Sequence, residues 1–245
     1  MEFECYQELI EKDTTHWWFL GKKKFLDVIL DRYTDNGNEK CALDIGCGTG
    51  GIIEQLGARG FKSFGIDNHE IAFNFCQKKN LPVFKADAKQ TGFEASSFDV
   101  VCALDVIEHD EDDLAIIREV KRILKPGGIF IVMVPAHQWL WSHCDKMNHH
   151  KRRYSKKSLL NLLNREFRTL HISWIHCSIF IPASVIITLR KILQKDQVRY
   201  TNPTHYTNLL MNYIYELEKN TYRTFHYLPF GTSIAAAAVK AVRIP

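Results

Sequence analysis

Two groups of residues in this chain have the types and spacing to do chemistry. One is the glycine loop Leu43-Asp44-Ile45-Gly46-Cys47-Gly48-Thr49-Gly50-Gly51. Glycine lets the backbone turn with positive φ and lets a ligand lie against bare main chain. A helix that opens directly after such a loop offers free N–H groups to a carboxylate or phosphate. The second group is a crowded stretch holding His137, Trp139, Trp141, His143, Asp145, His149, His150, Lys151, Arg152, Arg153 and Tyr154. If an acceptor hydroxyl must lose its proton, a histidine suits the task near neutral pH. His149 and His150 are the candidates, with Asp145 as a partner. Arg152 and Arg153 could clamp a carboxylate or phosphate, or could simply form a solvated helix entrance. His143, Cys144, Asp145, His149 and His150 have metal-ligating side chains, but their spacing fits no zinc pattern and no metal is expected.

Both groups need elements to hold them. Short apolar runs alternate with helix-like stretches from residue 41 onward. CALDIG, SFGID, PVFKAD, FDVVCALDVIEH and IFIVMVPA read as strands. GIIEQLGARG, HEIAFNFCQKKN and DDLAIIREVKRIL read as helices between them, the last with apolar positions at helical spacing. KPGG stops it. This alternation predicts a mostly parallel, doubly wound sheet, whose ligands bind beyond the carboxyl ends of its strands. SKKSLLNLLNREF reads as an amphipathic helix capped by Ser155, RTLHISWI as a sixth strand and SIAAAAVKAV as a seventh. Two short helices with an aromatic joint are expected over residues 7–33, and a helical insertion over 178–227.

The chain has 245 residues, 46% of them hydrophobic and 24% charged, and a net charge of +4. That is one globular domain, 1–245, too mildly basic to require nucleic acid or an anionic membrane as a partner. The seven cysteines form no CxxC pair, and the acidic start argues against a cleaved secretory leader. A reduced, cytoplasmic protein is expected. Residues 172–189 strain that picture, being mostly apolar but interrupted by His176 and Pro182. They read as a buried strand followed by a buried or interfacial helix, with peripheral membrane contact expected, if anywhere, over 172–193.

The glycine loop is ambiguous by itself. Gly46, Gly48 and Gly51 satisfy the spacing of dinucleotide folds; Gly46, Gly48 and Gly50, with Asp44 ahead of them, satisfy another pattern. Its wider context resembles the class I S-adenosylmethionine-dependent methyltransferases. DIGCGTG resembles their first motif, FGID their second-strand carboxylate, KADA their third-strand turn, FDVVCALDVIEH their fourth motif and KPGGIFIVMVP their fifth-strand approach. PFGTSIAAAAVK resembles their antiparallel seventh strand. HWWF and WLWS…CDKMNHHKRRYS resemble a small-molecule subgroup.

The resemblance implies a Rossmann-like α/β fold with a seven-stranded sheet, and S-adenosylmethionine as cofactor. Asp44, Gly46, Cys47, Gly48 and Gly50 would shape the loop, with Asp44 either touching the cofactor or bracing the turn. Asp67 and Asn68 would meet the ribose, Asp87 and Ala88 the adenine, and Leu104, Asp105 and His109 the methionine side. Residues 1–36 would form a lid, with Trp18 near the sulfonium or merely packing on the sheet. Trp18, Trp141, Arg152, Arg153 and Tyr154 would face a small acceptor, anionic or lipid-linked, methylated on oxygen or nitrogen. A NAD(P)-dependent oxidoreductase and a catalytically silent cofactor-binding protein stand as alternatives.

Overall fold

A computed structural model describes residues 13, 15–35, 37–193 and 204–241. The chain enters through helix α1 (Trp17–Tyr33), capped by the His16 ring, which accepts from the Trp18 amide. The helix expected before it lies outside the described residues. Then follow β1 (Cys41–Ile45), α2 (Gly51–Ala58), β2 (Lys62–Asp67), α3 (Glu70–Lys78) and β3 (Val83–Lys85). β4 (Phe98–Leu104), α4 (Asp113–Ile123) and β5 (Leu124–Pro135) complete the alternating core. Beyond it lie α5 (His143–Met147), α6 (Lys156–Leu163), β6 (Arg168–Ile175), α7 (Phe180–Ile192), α8 (His205–Phe225) and β7 (Ser233–Val239).

The seven strands form one sheet in the order β3-β2-β1-β4-β5-β7-β6. β1 to β5 run parallel, and β7 inserts antiparallel between β5 and β6. The strands read as apolar runs because both faces are covered. Side chains alternate between faces. Leu43, Val101, Phe130, Val132 and Ala236 go to one core, with Ile117 and Val120 of α4 and Leu159 of α6. Ala42, Val100, Cys102, Ile131 and Ala235 go to the other, with Phe25 and Ile29 of α1 and Tyr215 and Tyr222 of α8. The alanines of β7 are fully buried, and their small side chains let both helical layers close over that strand.

Parallel register places the site. Ile45 pairs with Ile66 and Ala103, and Ala103 pairs with Val132. Gly46, Asp67, Asp105 and Ala136 therefore leave the sheet at one edge.

One local outcome differs from the sequence reading. The polar loop after β5 contains a helix, α5, closed by a capping box between Ser142 and Asp145. The apolar segment 172–189 divides into a strand and a helix as read from the sequence: β6 ends buried at Ile175, and α7 is the surface alternative, with no buried residue.

Candidate cofactor and acceptor site

The glycine loop adopts the conformation that its sequence requires. Gly46, Gly48 and Gly50 have φ of 68°, 52° and 79°. A Cβ on Gly46 would lie 2.6 Å from Val106 Cγ2, so the backbone there has no room for a side chain. The amides of Gly46 and Cys47 donate to the Ile66 carbonyl at 2.8 and 3.0 Å, tying the loop to the end of β2. Asp67 completes the tie: one carboxylate oxygen accepts from Gly48 N at 3.0 Å, the other from His69 N at 2.9 Å. Burial raises its pKa while those two amides pull it back down. Each oxygen keeps a lone pair for a ligand hydroxyl. Asn68 beside it is exposed.

Asp44 is 2% exposed, and burial, then the Asp67 charge, push its pKa well above the usual carboxylate range. Cys47 packs against Cys76 and Ile53 beneath the loop. Asp87 is exposed, accepting from Lys89 N at 2.7 Å, and Ala88 packs on the core behind it. Leu104 is half-buried at the end of β4, on the α1 side of the sheet. Of the three lysines in α1, Lys22 pairs with Asp105 and Lys24 with Glu216. Lys23 pairs with Asp13, and a Cβ on Gly51 would strike both of those side chains. Lys23 is thus the lysine at the mouth of the loop, a choice that no sequence pattern distinguishes.

Next to it is a second, denser cluster. Asp145 is fully buried and accepts from Ser142 N at 2.8 Å, from Arg153 Nε and Nη2 at 2.7 and 2.9 Å, and bonds His150 Nδ1 at 2.8 Å. Burial would raise its pKa, but the bonds to His150 and Arg153 hold it down at about 2. A carboxylate on Nδ1 leaves Nε2 of a neutral His150 as an acceptor. The His150 ring meets His109 edge-on at 4.7 Å. Ligand atoms of Glu108, His109 and His150 all lie within 4.8 Å of one another. Glu108 is fully buried and neither carboxylate oxygen has a partner; burial, then Asp105, push its pKa well up. Burial also lowers His109 to about 4. Trp18 stacks at 4.5 Å on His176, a fully buried histidine whose nitrogens also lack partners.

The structure corrects the expected acceptor clamp. Arg152 donates to Asp113 at 2.9 Å and to the Glu111 carbonyl at 2.8 Å. Tyr154 is 3% exposed, its hydroxyl donating to the same Asp113 oxygen at 2.7 Å. Both pin the segment to α4 rather than face a ligand. Arg153 is spent on Asp145 and the Ala136 carbonyl. A guanidinium already forked onto a buried carboxylate has no second fork to offer. His149 is exposed at a left-handed turn, φ 56°, and is not in the cluster with His150 and Asp145. Trp141 is half-buried, in the turn before α5. The five loop residues weighed as metal ligands do not converge; among the described residues only Glu108, His109 and His150 do. Glu108 and His176 are among the residues whose buried polar atoms lack partners, which sequence spacing could not flag, since burial and partner loss are tertiary facts.

Comparison with known proteins agrees with this fold. Residues 43–132 match the family model described as a methyltransferase domain. Over 102 residues the chain is 36% identical to a ubiquinone biosynthesis O-methyltransferase of Marinobacter nauticus, a match that covers 38% of this chain and 43% of that one. It is 34% identical over 113 residues to the sterol 4-C-methyltransferase strm-1 of Caenorhabditis elegans, covering 42% of this chain and 33% of that one. The chain spans about half the length, or less, of the curated relatives it matches. Among solved structures, a chain of the complex between the Haloferax volcanii Trm112 methyltransferase activator and a methyltransferase superposes with a TM-score of 0.65 at 18% identity, covering 100% of this chain and 98% of that one. Phosphoethanolamine N-methyltransferase 2 of Haemonchus contortus, solved with S-adenosyl-L-methionine, superposes with a TM-score of 0.56 at 20% identity, covering 89% of this chain and 52% of that one. These likenesses concern the fold, and this chain's seven-stranded sheet with an antiparallel β7 is the one that the resemblance implied. Residues 43–132 match a methyltransferase domain, and glycine loop, strand-end carboxylate and sheet topology together give the chain the fold of the class I S-adenosylmethionine-dependent methyltransferases.

Proposed function

We propose that this chain transfers a methyl group from S-adenosylmethionine to an oxygen or nitrogen of a small acceptor, anionic or lipid-linked. The observation that carries this reading is the pairing, at one sheet edge, of an Asp67-braced glycine loop with an Asp145-held His150. The cofactor, when bound, supplies a methyl already activated by its sulfonium. The chain's residues do the rest. Asp67 would take the ribose hydroxyls, with Asn68 at its side. Asp87 or the neighbouring Ala88 amide would meet the adenine, and Leu104, Asp105 and His109 would line the methionine side. Lys23 would meet the carboxylate end at the start of α2. His150 would accept the acceptor proton on Nε2, while Asp145 fixes the ring and stabilises the charge that develops on it. Trp18 and Trp141 would wall the acceptor, and α1 would exclude water from above.

Calorimetric titration with S-adenosylhomocysteine, with NAD and NADP as controls, tests the cofactor half. Micromolar binding that weakens about tenfold or more in Asp67→Ala is expected, from the loss of charge-assisted hydrogen bonds. Preference for NAD or NADP would mean an oxidoreductase. Tight binding without turnover on a broad acceptor panel would mean a silent binding protein.

A further inference from the structure

Helix α7 is the largest anomaly on the surface. Ile181, Val185, Ile186, Leu189 and Ile192 are 62%, 51%, 47%, 51% and 70% exposed, and Leu193 beyond them 62%. Five neighbouring aliphatic side chains left in water on one short helix are not the scattered apolar residues of an ordinary surface.

Helix α8 repeats the pattern. Its inner face is anchored: Tyr215, Glu218 and Tyr222 are buried. Its outer face carries Tyr206, Leu209, Leu210, Tyr213 and Leu217, exposed by 81%, 56%, 59%, 63% and 50%. The spacing of those positions is a single helical stripe. A helix that already buries one face against α1 has no intramolecular need for a second apolar face.

The two helices share a fixed joint. The buried Glu218 carboxylate accepts from Cys177 N at 2.6 Å, Ser178 N at 3.0 Å and Ser178 Oγ at 2.6 Å, where the chain enters α7. Charge selects what covers the stripes. α7 has no acidic residue and ends in Arg190 and Lys191. Lys191 donates to the carbonyl of Trp139, itself 50% exposed, so a tryptophan and a basic pair stand together beside the apolar face. Aliphatic face, basic rim and indole are the composition of a helix lying in a lipid headgroup layer. With 13 residues α7 is about 20 Å long, and no helix among the described residues is long and apolar enough to cross a membrane.

We infer that α7 and the outer stripe of α8 form a docking face for an anionic lipid bilayer, lying flat on it rather than crossing it. This goes beyond the proposed methyl transfer and does not depend on it. It extends the segment expected from sequence, 172–193, in one direction and trims it in the other: the β6 portion is sheet, and half of the face comes from α8.

Flotation of the full chain with vesicles of phosphatidylcholine, and of phosphatidylcholine with phosphatidylglycerol, tests it. Binding is expected to the second kind, weaker at high salt. Val185→Glu with Leu189→Glu on α7, and separately Leu209→Glu with Tyr213→Glu on α8, should each weaken it by about tenfold or more, since each removes buried apolar area. Melting temperature and S-adenosylhomocysteine binding should be unchanged in both, so a failed cofactor site and a failed docking face give different results. Absence of vesicle binding overturns the inference. So does a concentration-dependent dimer in light scattering that both pairs of substitutions dissolve without any effect on vesicles, which would assign the face to a second copy of the chain.

Discussion

At the scale of single residues, the site separates groups that hold from groups that act. Arg152, Tyr154 and Asp113 form a closed brace, while His150 keeps a ring nitrogen directed toward His109 and Glu108. The two classes should respond differently to substitution. His150→Asn should reduce kcat about a hundredfold or more, the range for loss of a general base, with little change in the cofactor Kd. Arg152→Ala should leave acceptor KM near the wild-type value and instead lower the unfolding free energy by about 1–3 kcal/mol, because it strips a partner from a half-buried carboxylate. Steady-state kinetics on both variants, with denaturant melts, check this. A raised KM in Arg152→Ala would restore the clamp reading. Gly46→Ala is predicted to be worse than its size suggests. It combines a left-handed φ of 68° with a Cβ pressed on Val106, and should abolish S-adenosylhomocysteine binding while the far end of the sheet still folds.

At the scale of elements, the parallel strands β1, β2, β4 and β5 bring the glycine loop and the chain entering the His150 cluster to one edge, and the later elements add cover. β7 earns its place through small side chains: alanines at 235–238, fully buried, admit helices on both sides. α5 exists because Ser142 and Asp145 satisfy one another's backbone and side chain, and that same Asp145 then orients His150. A capping residue is here also the orienting residue of the candidate base. α7 is positioned at its start by Glu218 of α8 and by Phe180, whose ring meets His137, Trp139 and Phe230, while the rest of its apolar face stays available to a lipid surface.

At the scale of the whole molecule, buried histidines should make the fold acid-sensitive. Burial holds His176 at about 3 and His109 at about 4. Unfolded, each ionises near 6.5. Below about pH 6.5 the unfolded chain therefore binds protons that the folded one refuses, and stability falls as pH drops toward 4 and then 3. Asp145 extends the loss below about pH 4, as its unfolded value is passed, down to its folded value of about 2. Melting temperatures followed from pH 8 to pH 4 should decline, and more gently in His176→Phe, which has no proton to take up within its cage of Trp18, Phe25 and Tyr215. A pH-independent melting temperature in the wild type would mean that these rings are solvated.

The alternation of strands and helices, the turn at Gly46 to Gly50 and the strand-end aspartate Asp67 are written in local sequence, whereas the antiparallel β7 is implied only by the family resemblance and the strand order emerges only in the folded sheet. Periodicity, glycine placement and motif spacing act over a few residues and survive without knowledge of the rest of the chain. What the tertiary structure decided is which side chains are already taken. Arg152, Arg153 and Tyr154 look like ligand-binding residues until Asp113 and Asp145 are seen beside them, 39 and 8 residues away along the chain for the two arginines. Lys22, Lys23 and Lys24 are equivalent in sequence and reach three different carboxylates in space. The apolar run at 180–193 reads equally as core or surface, because hydrophobicity states what a residue avoids and not whether anything is there to cover it. Occupancy and burial are sums over the whole fold, so only the folded chain fixes them.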